Sequence, residues 1–184
     1  MNPIFLILGA PAVGKSTTSR ALAAHFSKSI HIPVDNIRDM VVSGIELPGT
    51  VKNEALVEQV ALARKSVCQI ALNYHEAGFV VVIDDFFHAD HLADYDPLIK
   101  HPFTYKILLH PGQKIAHERN LARSGTSPAR DYIDEGIRIV YDQLQNEVPK
   151  LSREGWIIID TTSLSIGETV TRIINKTITE RINN

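Results

Sequence analysis

The spacing of glycine, lysine and serine in one motif near the amino terminus indicates phosphate binding. Residues 9–16 read Gly-Ala-Pro-Ala-Val-Gly-Lys-Ser and match the pattern G-x-x-x-x-G-K-[ST] in full. Glycine lets the backbone curl so that several N–H groups point at one phosphate, and the helix that begins there adds the positive end of its dipole. Lys15 would meet the β- and γ-phosphates, and the Ser16 hydroxyl would bind Mg²⁺. We expect this phosphate loop to bind the nucleotide through Gly9, Ala12, Val13, Gly14, Lys15, Ser16 and Thr17.

A carboxylate lies at the end of the second apolar run of the chain. Residues 34–38 read Val-Asp-Asn-Ile-Arg. An Asp at the carboxyl end of a parallel strand lies on the face of the sheet where ligands bind. From there Asp35 could accept the proton of an attacking hydroxyl, as a kinase base does, and Arg38 could help bind the acceptor. The alternative role for Asp35 is a helix cap, since Asp before Asn-Ile-Arg suits that position, and one residue could do both.

Two further carboxylates follow the third apolar run. Residues 79–85 read Phe-Val-Val-Val-Ile-Asp-Asp, an apolar strand and then acids, which is the Walker B form. Such a carboxylate would hold Mg²⁺ directly or through water. We favour Asp84 as the metal ligand beside Ser16, with Asp85 as the alternative, and we expect Asp85 and Phe86 at the acceptor. The other possibility is a solvated strand end without a ligand.

The stretch 110–130 is locally basic, with four Lys or Arg residues and a single acid. Arg119 and Arg123 are four residues apart, so they share a helix face. Two guanidiniums on one face could clamp a triphosphate and neutralise the charge that spreads onto a transferred phosphoryl group. The alternative is a solvated basic face. Because Gly125, Thr126 and Ser127 follow, we expect a mobile lid at 119–130.

Residues 84–96 hold seven Asp or His side chains. His88 and His91 are three residues apart with acids around them, so a site for Zn²⁺ or Mn²⁺ is one interpretation. We favour a polar loop beside the acceptor pocket, with Phe86 and Phe87 as its walls.

Five short apolar runs must position these groups. They span 3–8, 30–34, 79–84, 103–109 and 156–160, and none alternates cleanly with polar residues. Continuous apolar runs are typical of strands that are covered on both faces, as in a parallel sheet. Between them the apolar residues follow helical spacing, with stop or start signals at Gly78, at Ser127-Pro128 and at Ser165 with Glu168. The pattern predicts one α/β domain over 1–184.

Composition excludes several other classes of protein. The chain has 184 residues, 19 Lys or Arg against 21 Asp or Glu, and a net charge of -2, so no global charge favours nucleic acid or an anionic membrane. Its single Cys, Cys68, forms no internal disulfide, which fits a cytoplasmic protein. No apolar run approaches the roughly 20 residues that cross a bilayer. We expect neither nucleic acid nor membrane as a partner.

Together these residues resemble the small P-loop kinases that phosphorylate hydroxyl groups. That group includes chloramphenicol phosphotransferase, gluconate kinase, shikimate kinase, adenylylsulfate kinase and the zeta-toxin kinases. The resemblance implies a three-layer fold with a five-stranded parallel sheet in the order 2-3-1-4-5 and a short lid. It also implies that Asp35 is a base or acceptor ligand, that Arg119 and Arg123 lie at the lid, and that Thr161 lies near the adenine.

Departures from the family patterns leave the acceptor open. Residues 84–88 read Asp-Asp-Phe-Phe-His, where nucleoside monophosphate kinases usually carry Asp-Gly-x-Pro-Arg and shikimate kinases begin with Gly-Gly. The Phe-Ile-Ser-Pro segment of adenylylsulfate kinases is missing. The expected function is Mg²⁺-dependent transfer of the γ-phosphate of ATP to a hydroxyl of a small molecule. The alternatives are a nucleoside or nucleotide kinase and a nucleotide-binding regulator; a GTPase is disfavoured because Asn175-Lys176 is not followed by x-Asp.

Overall fold

The sheet is parallel, and its strands lie in the order β2-β3-β1-β4-β5. A computed structural model describes residues 2–47, 53–127 and 129–179. Its strands are β1 (Ile4–Gly9), β2 (Ser29–Pro33), β3 (Val80–Phe86), β4 (Thr104–Leu109) and β5 (Ile157–Ile159). The predicted α/β fold and its strand order are confirmed.

Seven α-helices in the described residues connect and cover the strands. They are α1 (Lys15–Ala24), α2 (Val34–Arg38), α3 (Glu54–Glu76), α4 (Asp96–Ile99), α5 (Gln113–Ser124), α6 (Ala129–Arg153) and α7 (Ile166–Ile174). A 3₁₀ helix spans Ala89–Tyr95 and a π-helical turn spans Asn175–Thr179. All six residues of β1 are buried, so side chains of both strand faces are covered. This explains why the strand reads as a continuous apolar run.

Helix ends follow the signals in the sequence. The side chain of Asn53 caps α3 by accepting the Leu56 N–H, and Gly78 follows the helix with a φ of +81°. Ser165 and Glu168 form a complete capping box at the start of α7. The start that was expected at Ser127-Pro128 lies next to α6, but Pro128 is outside the described residues.

Two local expectations differ from the structure. Strand β3 continues through Phe86, so Asp84 and Asp85 lie within the strand rather than after it. Helix α2 begins at Val34 with Pro33 at the cap position, so Asp35 lies in the first turn and is not the cap. The ring of Pro33 fixes its φ, which suits the residue before a helix. No helix of the described residues is long and apolar enough to cross a membrane.

Candidate active site

The phosphate loop joins β1 to α1 in a tight turn. Gly9 has no room for a side chain, because a Cβ there would lie 2.7 Å from the carbonyl oxygen of Leu109 and 2.9 Å from Val13 Cγ2. Gly14, directly before α1, has a φ of +95°, and Ala12 has a φ of +59°. Left-handed residues of this kind turn successive N–H groups toward one side. The loop therefore has the backbone of an anion-binding cradle at a helix N-terminus.

Lys15 opens α1 beside this cradle. Its Nζ donates a hydrogen bond to the carbonyl oxygen of Ala10 at 2.8 Å. Burial lowers the pKa of Lys15, while the charges of Asp85, Asp84 and Asp35 oppose this change. The structure thus brings the predicted phosphate-binding lysine together with three predicted site carboxylates, which come from β3 and α2.

Ser16, the last residue of the phosphate-loop motif, contacts Asp84 of β3. Ser16 Oγ donates to Asp84 Oδ2 at 2.7 Å, and His31 Nε2 lies 2.5 Å from Asp84 Oδ1. The Asp84 side chain is 6% exposed and that of His31 is 17% exposed. A hydroxyl and a carboxylate oxygen are donors that Mg²⁺ prefers, and Mg²⁺ usually takes few protein ligands and completes its shell with water and phosphate. The donor set therefore fits the predicted metal.

Asp35 extends from α2 toward the lysine. Its pKa is raised, first because protein removes water from the carboxylate and second because Asp85 is negatively charged; Lys15 and Arg38 oppose the rise. The residue keeps solvent access. A carboxylate with a raised pKa is a stronger proton acceptor, as general-base catalysis requires.

Arg38 lies one helical turn beyond Asp35. Its Nη2 donates to the carbonyl oxygen of Glu46 at 2.8 Å. Its Nε is buried and has no hydrogen-bond partner among the described residues. A buried donor without a partner is costly, so a bound ligand with an acceptor oxygen would stabilise it.

Asp85 is already hydrogen-bonded by protein groups. Its Oδ2 accepts Arg64 Nε at 2.7 Å and the Tyr95 hydroxyl at 2.8 Å, and its Oδ1 accepts the backbone N–H of Phe86 at 2.8 Å. Asp85 is 3% exposed, Arg64 is 1% exposed and Tyr95 is 1% exposed. The Asp85 carboxylate thus compensates the charge of the buried Arg64 guanidinium.

Arg119 connects the phosphate loop to the loop that follows β5. Its Nη1 donates to the carbonyl oxygen of Val13 at 3.0 Å, and its Nη2 donates to the carbonyl oxygen of Thr161 at 2.9 Å. Thr161 is buried, and Asp160 orders the same turn by accepting the N–H of Thr162 at 2.8 Å. One guanidinium fork therefore fixes the phosphate loop against the loop that the resemblance placed near the adenine.

Arg123 lies on α5, one turn beyond Arg119, as the spacing predicted. Its side chain is exposed, and its charge contributes to the lowered pKa of Lys15 after burial. The two arginines share a helix, yet Arg119 is bound by protein carbonyls and Arg123 is solvent-exposed near the lysine.

A polar cluster joins α5 to α6 on both sides of the segment 119–130 that was expected to be a lid. Asp134 Oδ1 lies 2.7 Å from His117 Nδ1 and accepts Asn120 Nδ2 at 2.9 Å. Both hydrogen bonds lower the pKa of Asp134, and the bond from Asn120 has the larger effect. Gly136 of α6 faces the phosphate loop, since a Cβ there would lie 3.4 Å from Pro11 Cγ. The start of α6 thus lies over the loop.

The loop after β3 corrects two expectations. No group of three or more His, Cys, Asp or Glu in the described part of the chain could hold a metal, so the His88–His91 interpretation as a transition-metal site is wrong there. The two rings do lie together, with centroids 4.4 Å apart. Phe87 is 0% exposed and belongs to the core, so it cannot wall an open pocket, whereas Phe86 is half-buried.

Sequence reasoning missed three side chains of this site: His31, Arg64 and Tyr95. Arg64 had a usable signal, because helical spacing places it on the buried stripe of α3 among Val60, Ala63, Val67 and Cys68. An arginine on such a stripe needs a buried carboxylate. His31 is likewise the one ionisable residue in β2.

No protein-family model matches the sequence, and no curated protein sequence matches it. Solved structures do match over nearly the whole chain. A shikimate kinase from Acinetobacter baumannii in complex with shikimate is 13% identical with a TM-score of 0.64, covering 98% of this chain and 95% of that one. A gluconokinase from Sinorhizobium meliloti 1021 is 16% identical with a TM-score of 0.64, covering 98% and 94%.

A third match is the tunicamycin resistance protein of Deinococcus radiodurans. It is 16% identical with a TM-score of 0.64, and the match covers 96% of this chain and 95% of that one. At this level of identity the likeness concerns the fold, since one fold hosts many activities. The strand order, the phosphate loop and these matches show that the chain has the P-loop kinase fold.

Proposed function

We propose that the protein is a phosphotransferase that moves the γ-phosphate of ATP, with Mg²⁺, to a hydroxyl group of a small molecule. The observation that carries this proposal is the convergence of Lys15 with Asp35 and Asp84 beside a phosphate-binding backbone. A nucleotide-binding regulator needs the cradle and the metal ligands but has no need of a further carboxylate with a raised pKa. Asp35 therefore favours a kinase.

ATP would bind along the phosphate loop. Backbone N–H groups of Gly9, Ala12, Val13, Gly14, Ser16 and Thr17 would surround the phosphates, with Lys15 at the β- and γ-phosphates. Arg119 would hold the Val13 and Thr161 backbones in place at the nucleotide. Arg123 would approach the transferred phosphoryl group when the lid closes, where a guanidinium neutralises charge that develops in the transition state.

Ser16 and Asp84 would hold Mg²⁺, Asp84 directly or through water. A bound Mg²⁺ would supply positive charge that neutralises part of the charge of the phosphates. Because Ser16 Oγ donates to Asp84 in this structure, its proton would have to turn away for the oxygen to act as a ligand. His31 keeps the other oxygen of Asp84 occupied, so the carboxylate holds its orientation.

Asp35 would accept the proton of the acceptor hydroxyl as that oxygen attacks the γ-phosphorus. The new P–O bond forms while the bond between the γ-phosphorus and the β,γ-bridging oxygen breaks, and ADP leaves with the bridging oxygen. Arg38 would donate its unpartnered Nε–H to an acceptor oxygen. Phe86 would border the acceptor beside Asp85.

The test is a phosphoryl-transfer screen with MgATP over antibiotics, sugars, nucleosides, nucleotides and polyols. We expect an acceptor that stimulates ADP formation and gains one phosphate, and we expect Lys15→Ala to lose both turnover and the thermal shift with MgATP. A nucleoside or nucleotide as the best acceptor would favour that kinase class. ATP or GTP binding with slow hydrolysis and no acceptor stimulation would favour a regulator and refute the proposal.

A further inference from the structure

Asn120 of α5 is a polar residue that lies wholly inside the protein, with an exposed fraction of 0%. Its Nδ2 donates to the carbonyl oxygen of Arg130 at 3.1 Å and to Asp134 Oδ1 at 2.9 Å, both on α6. Its Oδ1 accepts a hydrogen bond from Ser124 Oγ at 2.8 Å. These three bonds replace the water that the amide loses on burial, so the buried side chain is accommodated without a large cost in free energy.

The partners of Asn120 also determine which chemical group can occupy this position. The Arg130 carbonyl and the Asp134 carboxylate are acceptors, and both need an N–H donor. A primary amide offers two N–H donors on its nitrogen and an acceptor on its oxygen, which matches all three partners. A carboxylate at position 120 would have the same shape, but it would place negative oxygens against two acceptors. The site therefore requires an amide.

These bonds hold the last turn of α5. The helix ends at Ser124, and Gly125 follows with a φ of +54°. The last turn of a helix frays readily, because its carbonyl groups have no partners within the helix. The bond between Asn120 and Ser124 spans this turn, and the bonds to α6 join it to a second helix. Because Arg123 lies in the same turn, Asn120 restricts the movement of the backbone that carries Arg123.

The other side of α5 is held at the phosphate loop. Arg119, directly before Asn120, donates to the carbonyl oxygen of Val13 at 3.0 Å. Arg123 is four residues beyond Arg119 and shares its helix face, so it projects from the side of α5 that is directed at the phosphate loop. Helix α5 is thus fixed by Arg119 to the phosphate loop and by Asn120 to α6.

We propose that Asn120 is a positioning residue for phosphoryl transfer, which fixes the helical turn of Arg123 relative to the phosphate loop. The inference rests on the proposed phosphotransferase function, in which Arg123 neutralises charge on the transferred group. Because Asn120 is buried and its amide is occupied by protein groups, it offers no surface to nucleotide or acceptor and acts through Arg123. Misplacing a group that acts on the transition state by about 1 Å can lower the rate about 100-fold.

The first variant is Asn120→Asp, which keeps the shape of the side chain and loses both N–H donors. With MgATP and the best acceptor of the screen described above, we expect kcat to fall about 10- to 100-fold. ATP affinity, measured by calorimetry, should change little because Arg119 still binds the phosphate loop. Asn146→Asp makes the same change of charge at an exposed position of α6, so it is the matched control and should leave kcat unchanged.

A second background separates positioning from a general loss of stability. Two substitutions that act through the same group are not additive. In Arg123→Ala, Asn120→Asp should therefore cause no further fall in kcat. If the two losses multiply instead, Asn120 acts by another route and the inference is overturned.

Ser124→Ala keeps the test decisive if Asn120→Asp does not fold. It removes one of the three bonds at a half-buried hydroxyl, so we expect a smaller fall in kcat that is again absent in the Arg123→Ala background. Melting curves and MgATP calorimetry establish which variants are folded. Unchanged kcat in the folded variants overturns the inference and leaves the kinase proposal standing. If the wild type phosphorylates no alcohol of the screen, both are overturned.

Discussion

His31 and Asp84 lie on neighbouring strands two positions apart in register, and their side chains meet with His31 Nε2 2.5 Å from Asp84 Oδ1. The second oxygen of the same carboxylate accepts Ser16 Oγ at 2.7 Å. Both oxygens of a nearly buried acid are thus held from opposite sides, by β2 and by α1. A carboxylate fixed in this way can present one orientation to a metal ion, which is what the strict octahedral geometry of Mg²⁺ requires.

The first prediction concerns this pair. His31→Ala removes the group that orients Asp84, so we expect the Mg²⁺ concentration for half-maximal turnover to rise about 10- to 100-fold. His31→Gln keeps an N–H donor and should recover much of the loss. A Mg²⁺ titration of ADP binding provides a second readout that does not depend on turnover.

His25→Ala is the matched control for the histidine substitution. His25 is exposed at the end of α1, so its loss should leave the Mg²⁺ dependence unchanged. Equal Mg²⁺ titrations for the wild type, His31→Ala and His25→Ala would show that His31 does not orient Asp84 for Mg²⁺ binding.

The second prediction concerns the base. Asp35→Asn keeps the shape of the side chain and removes its ability to take a proton, so the transfer rate should fall about 10²- to 10⁴-fold. ATP affinity, measured by calorimetry, should change little because Asp35 is not part of the phosphate loop. Asp39→Asn, on an exposed neighbour, serves as the control. Undiminished transfer by Asp35→Asn would exclude Asp35 as the base.

The third prediction is a pH dependence that follows from the raised pKa of Asp35. A base works in its deprotonated form, so kcat/KM should fall as the pH decreases through the pKa of this group. Because burial and Asp85 raise that pKa above its ordinary value of 3.8, the fall should begin at a higher pH than for an ordinary Asp.

A variant checks the cause of this shift. Asp85→Asn removes one of the charges that raise the pKa, so the acidic limb of the kcat/KM profile should move to lower pH, while the limb should disappear in Asp35→Asn. If the acidic limb of the kcat/KM profile stays in place in Asp35→Asn, it reports the titration of another group, and Asp35 is not the base.

The fourth prediction concerns Arg119. Arg119→Ala deletes the fork between the Val13 and Thr161 carbonyl oxygens, so we expect ATP affinity to fall by about tenfold or more, since bonds to charged groups contribute roughly 1.5–3 kcal/mol each. Arg119→Lys should restore little, because one ammonium cannot reach both carbonyls in the same geometry. Lys114→Ala, on the exposed side of α5, is the control. Equal ATP affinities in all three variants would contradict a role in the nucleotide site.

Much of this architecture could be predicted from local sequence patterns. The phosphate loop and the five apolar runs follow from glycine spacing and from strands covered on both faces, and Ser165 with Glu168 gave a helix start that the structure confirms. These features depend on neighbours in the sequence. Prediction was weaker at Asp35, where Pro33 takes the cap position and moves the acid into the helix.

The pairings between distant residues could not be predicted in the same way. His31 and Asp84 are 53 residues apart, and Arg64 and Asp85 are 21 apart, so no local pattern joins them. Both pairs depend on which side chains the register of β2 and β3 and the packing of α3 bring together. Asp85 is an example. The sequence indicates an acid at the acceptor, but in the structure this carboxylate is paired with the buried Arg64.

The most direct test of the central claim is the stoichiometry of phosphoryl transfer to the best acceptor. Wild-type protein, MgATP and that acceptor should yield ADP and singly phosphorylated acceptor in equal amounts, measured by mass spectrometry on the same sample. Asp35→Asn should bind MgATP with near wild-type affinity and form neither product at a comparable rate. ADP formed with free phosphate and an unmodified acceptor would show that water, and not an alcohol, receives the phosphoryl group, and would contradict the account.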